Sequence, residues 1–259
     1  MAQNIGKNPL KGIFSEAHCH MRSMADDTIE KCGNMKVELV LVAGIDMPSC
    51  EDAVLTAQKY HIVKGSVGIH PWYADDYSSE NHSRLHEMAS KPDVVAISEI
   101  GLDYGGRMNK NWERSSEVID PDIQRATLRG QIKLAKELGL PVIIHDRAHG
   151  EEVLDIIEET GINKIGAAIH GHTKGSEYSK RAVSLGVYLS IGRSILRDGN
   201  EELKKAVKEI PIEYILTETD SGDPTGVIAV AEKIAEIKGL TRESVGLRAT
   251  GNLKKLLKL

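Results

Sequence analysis

Short apolar runs recur along the chain, each bounded by polar or turn-forming residues. They lie at residues 12–20 (GIFSEAHCH), 37–44 (VELVLVAG), 65–70 (GSVGIH), 94–100 (VVAISEI), 141–145 (PVIIH), 165–170 (IGAAIH), 187–191 (VYLSI) and 214–219 (YILTET). Their length and β-branched content predict strands buried on both faces. Helical spacing separates them. Residues 49–60 place Ala53, Val54, Ala57 and Tyr60 on one face, and residues 122–138 do the same with Leu128, Ile132, Leu134, Ala135 and Leu138. The second of these stops at Gly139 with Pro141 beyond, a physical end signal for a helix. Residues 152–159, 177–185 (before Gly186) and 201–210 (before Pro211) complete the helical set. Eight strands alternating with helices predict an α/β chain folded as a single (β/α)8 TIM-type barrel, with a doubly wound open parallel sheet as the other arrangement.

Composition narrows the setting. A length of 259 residues with 41% hydrophobic positions suits one barrel over residues 1–259, with 1–12 as a short N-terminal extension. No run approaches the roughly 18 apolar residues of a membrane span, so no membrane partner is expected. The start MAQNIGKNPLKG is polar and lacks an apolar signal region, so export is not expected. Three cysteines, Cys19, Cys32 and Cys50, make no disulfide framework and point to a reducing, cytoplasmic setting. A net charge of −5 argues against a broad electrostatic grip on nucleic acid but leaves room for a small basic patch at a pocket mouth. No obligate protein partner is implied. One segment, residues 105–120 (GGRMNKNWERSSEVID), is long for a strand-to-helix loop, and loops of that size are usually functional or disordered.

The chemistry sits at the ends of the strands. His18 and His20 close the first run, His70 the third, His145 the fifth and His170 the sixth; Glu99 and Asp103 belong to the fourth, Glu218 and Asp220 to the eighth. In a barrel these ends gather on one rim. A lone His-x-His pair is weak support in a chain of 10 histidines, and His170 with His172 makes another. Convergence from separate strands is stronger, because buried charges are costly unless paired or bound to a cation. Imidazole and carboxylate donors suit Zn, Mn or Fe. Four histidines with one Glu and one Asp exceed the three protein ligands of a single catalytic zinc, which suggests two metals bridged by a carboxylate.

The motifs His18-Cys-His20, GIHPW (68–72), SEIGLDY (98–104), PVIIHDR (141–147), the strand ending at His170, ETD (218–220) and the terminal GNLKKLLKL (251–259) resemble the TatD-like metal-dependent hydrolases, relatives of the amidohydrolase superfamily often described as deoxyribonucleases. The resemblance runs from about Phe14 to the C-terminus. It implies that His18 and His20 bind one metal with Asp220, and that Glu99 bridges to a second held by His145 and His170. It further implies that Arg147 meets substrate phosphate, that His70 lines the pocket and helps hold an oxyanion, and that Asp103 stands behind the ligands. This chain departs from the family in three places. His170-Gly-His172-Thr-Lys174 replaces the usual His-Cys-Phe-x-Gly run, Ser221-Gly222 replaces Ala-Pro, and the loop after Tyr104 is longer. Spacing to the next strand favours His170 as the ligand and places His172 among the substrate-contacting residues.

The expected activity is therefore cleavage of a phosphodiester, foremost at the 3′ end of DNA, with two divalent metal ions (Zn, Mn or Mg) and with Asp220 and Glu99 as catalytic carboxylates. DNA or a small phosphodiester is the expected partner, gripped by the metals, Arg147 and one or two further cations such as Lys174 or Arg193. A small amide, lactone or ester is the alternative substrate, and a metal-dependent binding scaffold the non-enzymatic reading.

Overall fold

The computed structural model of the chain describes residues 12–20, 26–108, 113–115 and 117–259. The expected extension over residues 1–12 lies, apart from Gly12, outside the described residues, as do positions 109–112 and 116 of the long loop. Strands β1 (Phe14–Cys19), β2 (Val37–Ala43), β3 (Val63–Val67), β4 (Val94–Asp103), β5 (Val142–Arg147), β6 (Ala167–His170), β7 (Tyr188–Ile191) and β8 (Ile215–Thr217) pair in parallel in chain order. The last strand returns to the first. Thr217 Oγ1 donates to the Ser15 carbonyl at 2.9 Å, and the Asp220 amide donates to the His18 carbonyl at 3.0 Å. The sheet thus curls into a single TIM-type barrel, and the open-sheet arrangement is excluded.

Helices α1 (Asp26–Asn34), α2 (Met47–Lys59), α3 (Ser79–Ala89), α4 (Pro121–Leu138), α5 (Glu152–Thr160), α6 (Ser176–Ser184), α7 (Glu201–Glu209), α8 (Val227–Lys238) and α9 (Arg242–Leu257) accompany the strands. Local chemistry sets their ends. Asp120 caps α4 by accepting from the Asp122 amide, Pro121 fits the first turn, and Gly139 closes the helix at φ +68°. Of the apolar stripe read from the sequence, Leu128, Ile132, Leu134 and Ala135 are buried and Leu138 is half-buried. Helix α9 supplies Leu253, Leu256 and Leu257 to a second apolar cluster with Ala17, Leu39, Leu41 and Leu216. Asn252 ties it down by donating from Nδ2 to the Ile212 and Ile215 carbonyls, both at 2.8 Å. No helix among the described residues is long and apolar enough to cross a membrane.

The expected strands shift at their ends. His20, His70 and Asp220 lie in the turns just past β1, β3 and β8, whereas β4 continues beyond Ile100 to Asp103. Within the ladders, register slips between Glu16 and Cys19 on β1 and between Ile97 and Ile100 on β4. Each slip puts an extra residue on the strand that carries a candidate ligand, His18 or Glu99. Such bulges re-aim a side chain next to an active site. Gly101 is required beside the second: a Cβ there would lie 2.0 Å from the His145 carbonyl oxygen. Its absence lets the backbones of β4 and β5 approach and brings His145 up to Glu99.

Candidate metal centre

Glu99 is 3% exposed and lies at the meeting point of five imidazoles. Its Oε2 faces His18 Nε2 and His20 Nε2, each at 3.3 Å, and those two nitrogens are 3.2 Å apart. Asp220 Oδ1 is 3.2 Å from His20 Nε2 and stands on the exposed rim, its backbone at φ +50°. The other oxygen, Oε1, faces His170 Nε2 at 2.7 Å, His145 Nδ1 at 2.8 Å and His70 Nε2 at 3.2 Å. The His18 and His170 rings stack with centroids 3.9 Å apart, which joins the two halves. The six residues expected as ligands are thereby brought together, with His70 beside them.

Donor spacing and ring hydrogen bonds test whether cations fit. Tetrahedral zinc with ligands at ~2.0–2.1 Å has donor–donor edges of ~3.3–3.4 Å. The triangle of His18, His20 and Glu99 Oε2 has nearly those edges. His20 Nδ1 donates to the Ala43 carbonyl at 3.1 Å, which leaves its Nε2 lone pair free for a cation. His145 Nε2 donates to Asp103 Oδ2 at 3.1 Å, which frees Nδ1 in the same way. His70 is different. Its Nδ1 accepts the Trp72 amide at 3.1 Å, so the neutral ring carries its hydrogen on Nε2 and donates into the site. Donors that could hold a cation thus lie on both sides of Glu99, His18 and His20 with Asp220 beside them on one, His145 and His170 on the other.

Without cations, protons compensate the charge. Burial opposes ionisation of Glu99, but the imidazoles of His170, His70 and His18 hold its carboxyl well below the usual range. Burial likewise opposes charge on His170, yet Glu99 and Glu218 push the ring up to about 10. His20 is raised well above its ordinary value because Asp220 and Glu99 outweigh its burial. Burial pushes His70 down to about 4, which keeps it neutral at physiological pH.

Two of the expected substrate contacts, His172 and Arg147, have hydrogen-bond partners within the protein. His172 is 1% exposed, its Nε2 is 2.9 Å from Ser179 Oγ and its ring stacks on Tyr178. That ring is therefore buried against helix α6. Arg147 pairs with neither Asp146 nor Asp103; it donates from Nη1 to the Asp146 carbonyl at 2.9 Å and from Nη2 to that of Gly171 at 3.1 Å. Asp103 takes Arg114 instead, at 3.2 Å. One contributor, Glu16, escaped the sequence reading, and Glu218 and Trp72 stood in it without a role. Glu16, fully buried, accepts the His18 and Thr219 amides at 3.0 and 2.9 Å, and burial raises its carboxyl well above the usual range. Glu218 accepts the Gly171 amide at 2.6 Å and lies 3.6 Å from His170 Nδ1. Trp72 Nε1 donates to Asp103 Oδ2 at 2.9 Å. The signal for Glu16 was present: a carboxylate two residues before His18 inside an apolar strand.

Comparison with known proteins gives the family and supports the fold. The family model described as TatD related DNase matches residues 16–258. The uncharacterized metal-dependent hydrolase YabD of Bacillus subtilis is 33% identical over 264 residues, covering 95% of this chain and 100% of that protein. The human deoxyribonuclease TATDN3 is 28% identical, covering 93% of each. The 3′-5′ ssDNA/RNA exonuclease TatD of Shigella flexneri is 27% identical over 197 residues, with 76% and 72% covered. In fold, the crystal structure of YJJV, a TatD homologue from Escherichia coli, superposes with a TM-score of 0.83 at 21% identity, covering 96% of this chain and 100% of that one. The chain belongs to the TatD related DNase family of metal-dependent hydrolases.

Proposed function

We propose that this hydrolase cleaves phosphodiesters, foremost at the 3′ end of single-stranded DNA, with two divalent ions of zinc, manganese or magnesium. The observation that carries the reading is the Glu99 carboxylate, whose two oxygens face separate imidazole groups. His18, His20, Asp220 and Glu99 would hold one ion, and His145, His170 and Glu99 the other. Bound there, the ions supply a nucleophile at neutral pH and neutralise phosphate charge. The protein's own groups do the rest. Asp220, exposed beside His20, takes the proton of the attacking water as the new P–O bond forms. His70 offers its Nε2 hydrogen to a phosphoryl oxygen. The leaving oxygen takes its proton from solvent. The names of TATDN3 and of the Shigella exonuclease support a nucleic-acid substrate over the small amide, lactone or ester that a net charge of −5 also allows.

The deciding experiment compares metal-loaded and chelator-stripped protein on single-stranded DNA, a simple phosphodiester, and a panel of esters and lactones. Metal-dependent release of nucleotides from the 3′ end is the expected result. Turnover of carboxylic esters alone overturns the phosphodiester reading, and absence of all turnover returns the binding scaffold.

A further inference from the structure

Beside the metal centre lies a cavity of about 500 Å³, between the turn Pro71–Asp76 and the long loop that follows β4. Pockets of that size hold drug-sized ligands. It shares two walls with the centre, Trp72 and Asp103. The oxygen of Asp103 that accepts from the Trp72 indole is also the one that holds His145. A group seated in the cavity is therefore one side chain away from the candidate ligands.

The far wall is built rather than incidental. The Ser115 amide donates to the Arg107 carbonyl at 2.7 Å, and Met108 pairs with Arg114 in an antiparallel bridge. Arg114 Nη1 fastens this turn to Asp103 Oδ1 at 3.2 Å and to the Gly106 carbonyl at 3.0 Å. Gly106 stands at φ +80°, and a Cβ there would lie 2.4 Å from the Ser115 carbonyl oxygen.

The chemistry of the walls selects an occupant. Arg107 lies over Tyr73, its guanidinium carbon 4.2 Å from the ring centroid and its Nη2 donating to the hydroxyl at 2.6 Å. With the Trp72 indole, this pair offers planar stacking surfaces, and Met108 adds apolar contact. Asp75, Asp76 and Glu117 line the remaining edge. Those carboxylates repel phosphate and accept hydrogen bonds, so the cavity suits a flat ring that carries N–H donors.

We propose that this cavity is a base subsite: it takes one nucleobase of the nucleic-acid substrate, stacked on the Arg107–Tyr73 pair and Trp72, with its exocyclic amino group toward the carboxylates. The inference rests on the phosphodiester reading and adds which part of the substrate meets which wall. Aromatic and guanidinium faces bind unpaired bases in this way.

The test uses metal-loaded protein and short DNA strands with phosphorothioate linkages at the 3′ end, which block turnover. Strands carry either 2-aminopurine or abasic sites over the last three nucleotides. Wild type should quench the 2-aminopurine fluorescence and bind that strand about 10-fold more tightly than the abasic one. Tyr73→Ala and Arg107→Lys should each remove the preference, binding the 2-aminopurine strand no more tightly than the abasic one. Arg107→Lys keeps the charge and loses the plane, so binding unchanged in Arg107→Lys but lost in Arg107→Ala would mark a phosphate grip and overturn the subsite. Equal wild-type affinity for both strands also overturns it, with DNA cleavage left standing. A protein that neither binds nor cleaves DNA overturns the phosphodiester reading and this subsite with it.

Discussion

Asp103 Oδ2 accepts the Nε2 hydrogen of His145 at 3.1 Å, which leaves Nδ1 as the ring nitrogen His145 can offer a cation. Burial works against the Asp103 carboxylate, but its hydrogen bond to His145 brings its pKa down to about 2, so it is charged throughout the physiological range. Removing such an oriented partner typically costs 10–100-fold in metal affinity. Asp103→Ala should therefore weaken one of two metal sites by about that factor, with activity recovered at excess metal. A chelator competition titration measures it; unchanged affinity would show that the ring is oriented without Asp103.

Glu99 is the side chain that both imidazole groups share. Glu99→Gln keeps its size but replaces one anionic oxygen by an amide nitrogen that cannot bind a cation. The variant should hold at most one ion by elemental analysis, and its hydrolysis should fall to the level of stripped protein. Wild-type turnover would remove the shared-carboxylate site.

His170 and His172 separate by metal count and by stability. His170→Ala should lose one ion. His172→Ala should keep the metal content of wild type, since its ring packs between Ser179 and Tyr178. Leaving those partners unfilled should lower stability by about 1–3 kcal/mol. Thermal melting with elemental analysis reads both; a lost ion in His172→Ala reverses the assignment.

The barrel was legible because buried parallel strands leave short β-branched runs and because Gly139 and Pro211 mark helix ends. Helices α1 and α3 were harder to see. Helix α1 buries Cys32 alone, and α3 buries only Leu85, Met88 and Ala89, so neither shows a full apolar stripe. The ligand candidates stood out as charge-bearing residues in strands that otherwise exclude charge. Their roles did not. His70 and His145 both close apolar runs, yet one accepts a backbone amide at Nδ1 and the other offers Nδ1 to the site. That distinction depends on Trp72 and Asp103, one of them 42 residues from His145 along the chain. The surroundings of His172 were hidden for a related reason: Gly171 turns at φ +55°, and the residue after it packs against α6.

Metal loading should release protons. In the metal-free site His170 titrates at about 10 and His20 well above its ordinary value, so both rings carry protons at pH 7. A cation needs the neutral ring, so each must give up its proton to bind. Raised pKa values mean that protons compete with metal below them, so affinity should rise with pH across the neutral range, by up to about tenfold per pH unit for each proton displaced. Glu99 and Asp220 contribute nothing to this dependence, because both are held below the usual carboxylate range and are ionised already. Calorimetric titration of stripped protein in buffers of different ionisation enthalpy counts the protons directly. About two should leave per protein when both sites fill, and a heat of binding independent of buffer would show that the rings are already neutral.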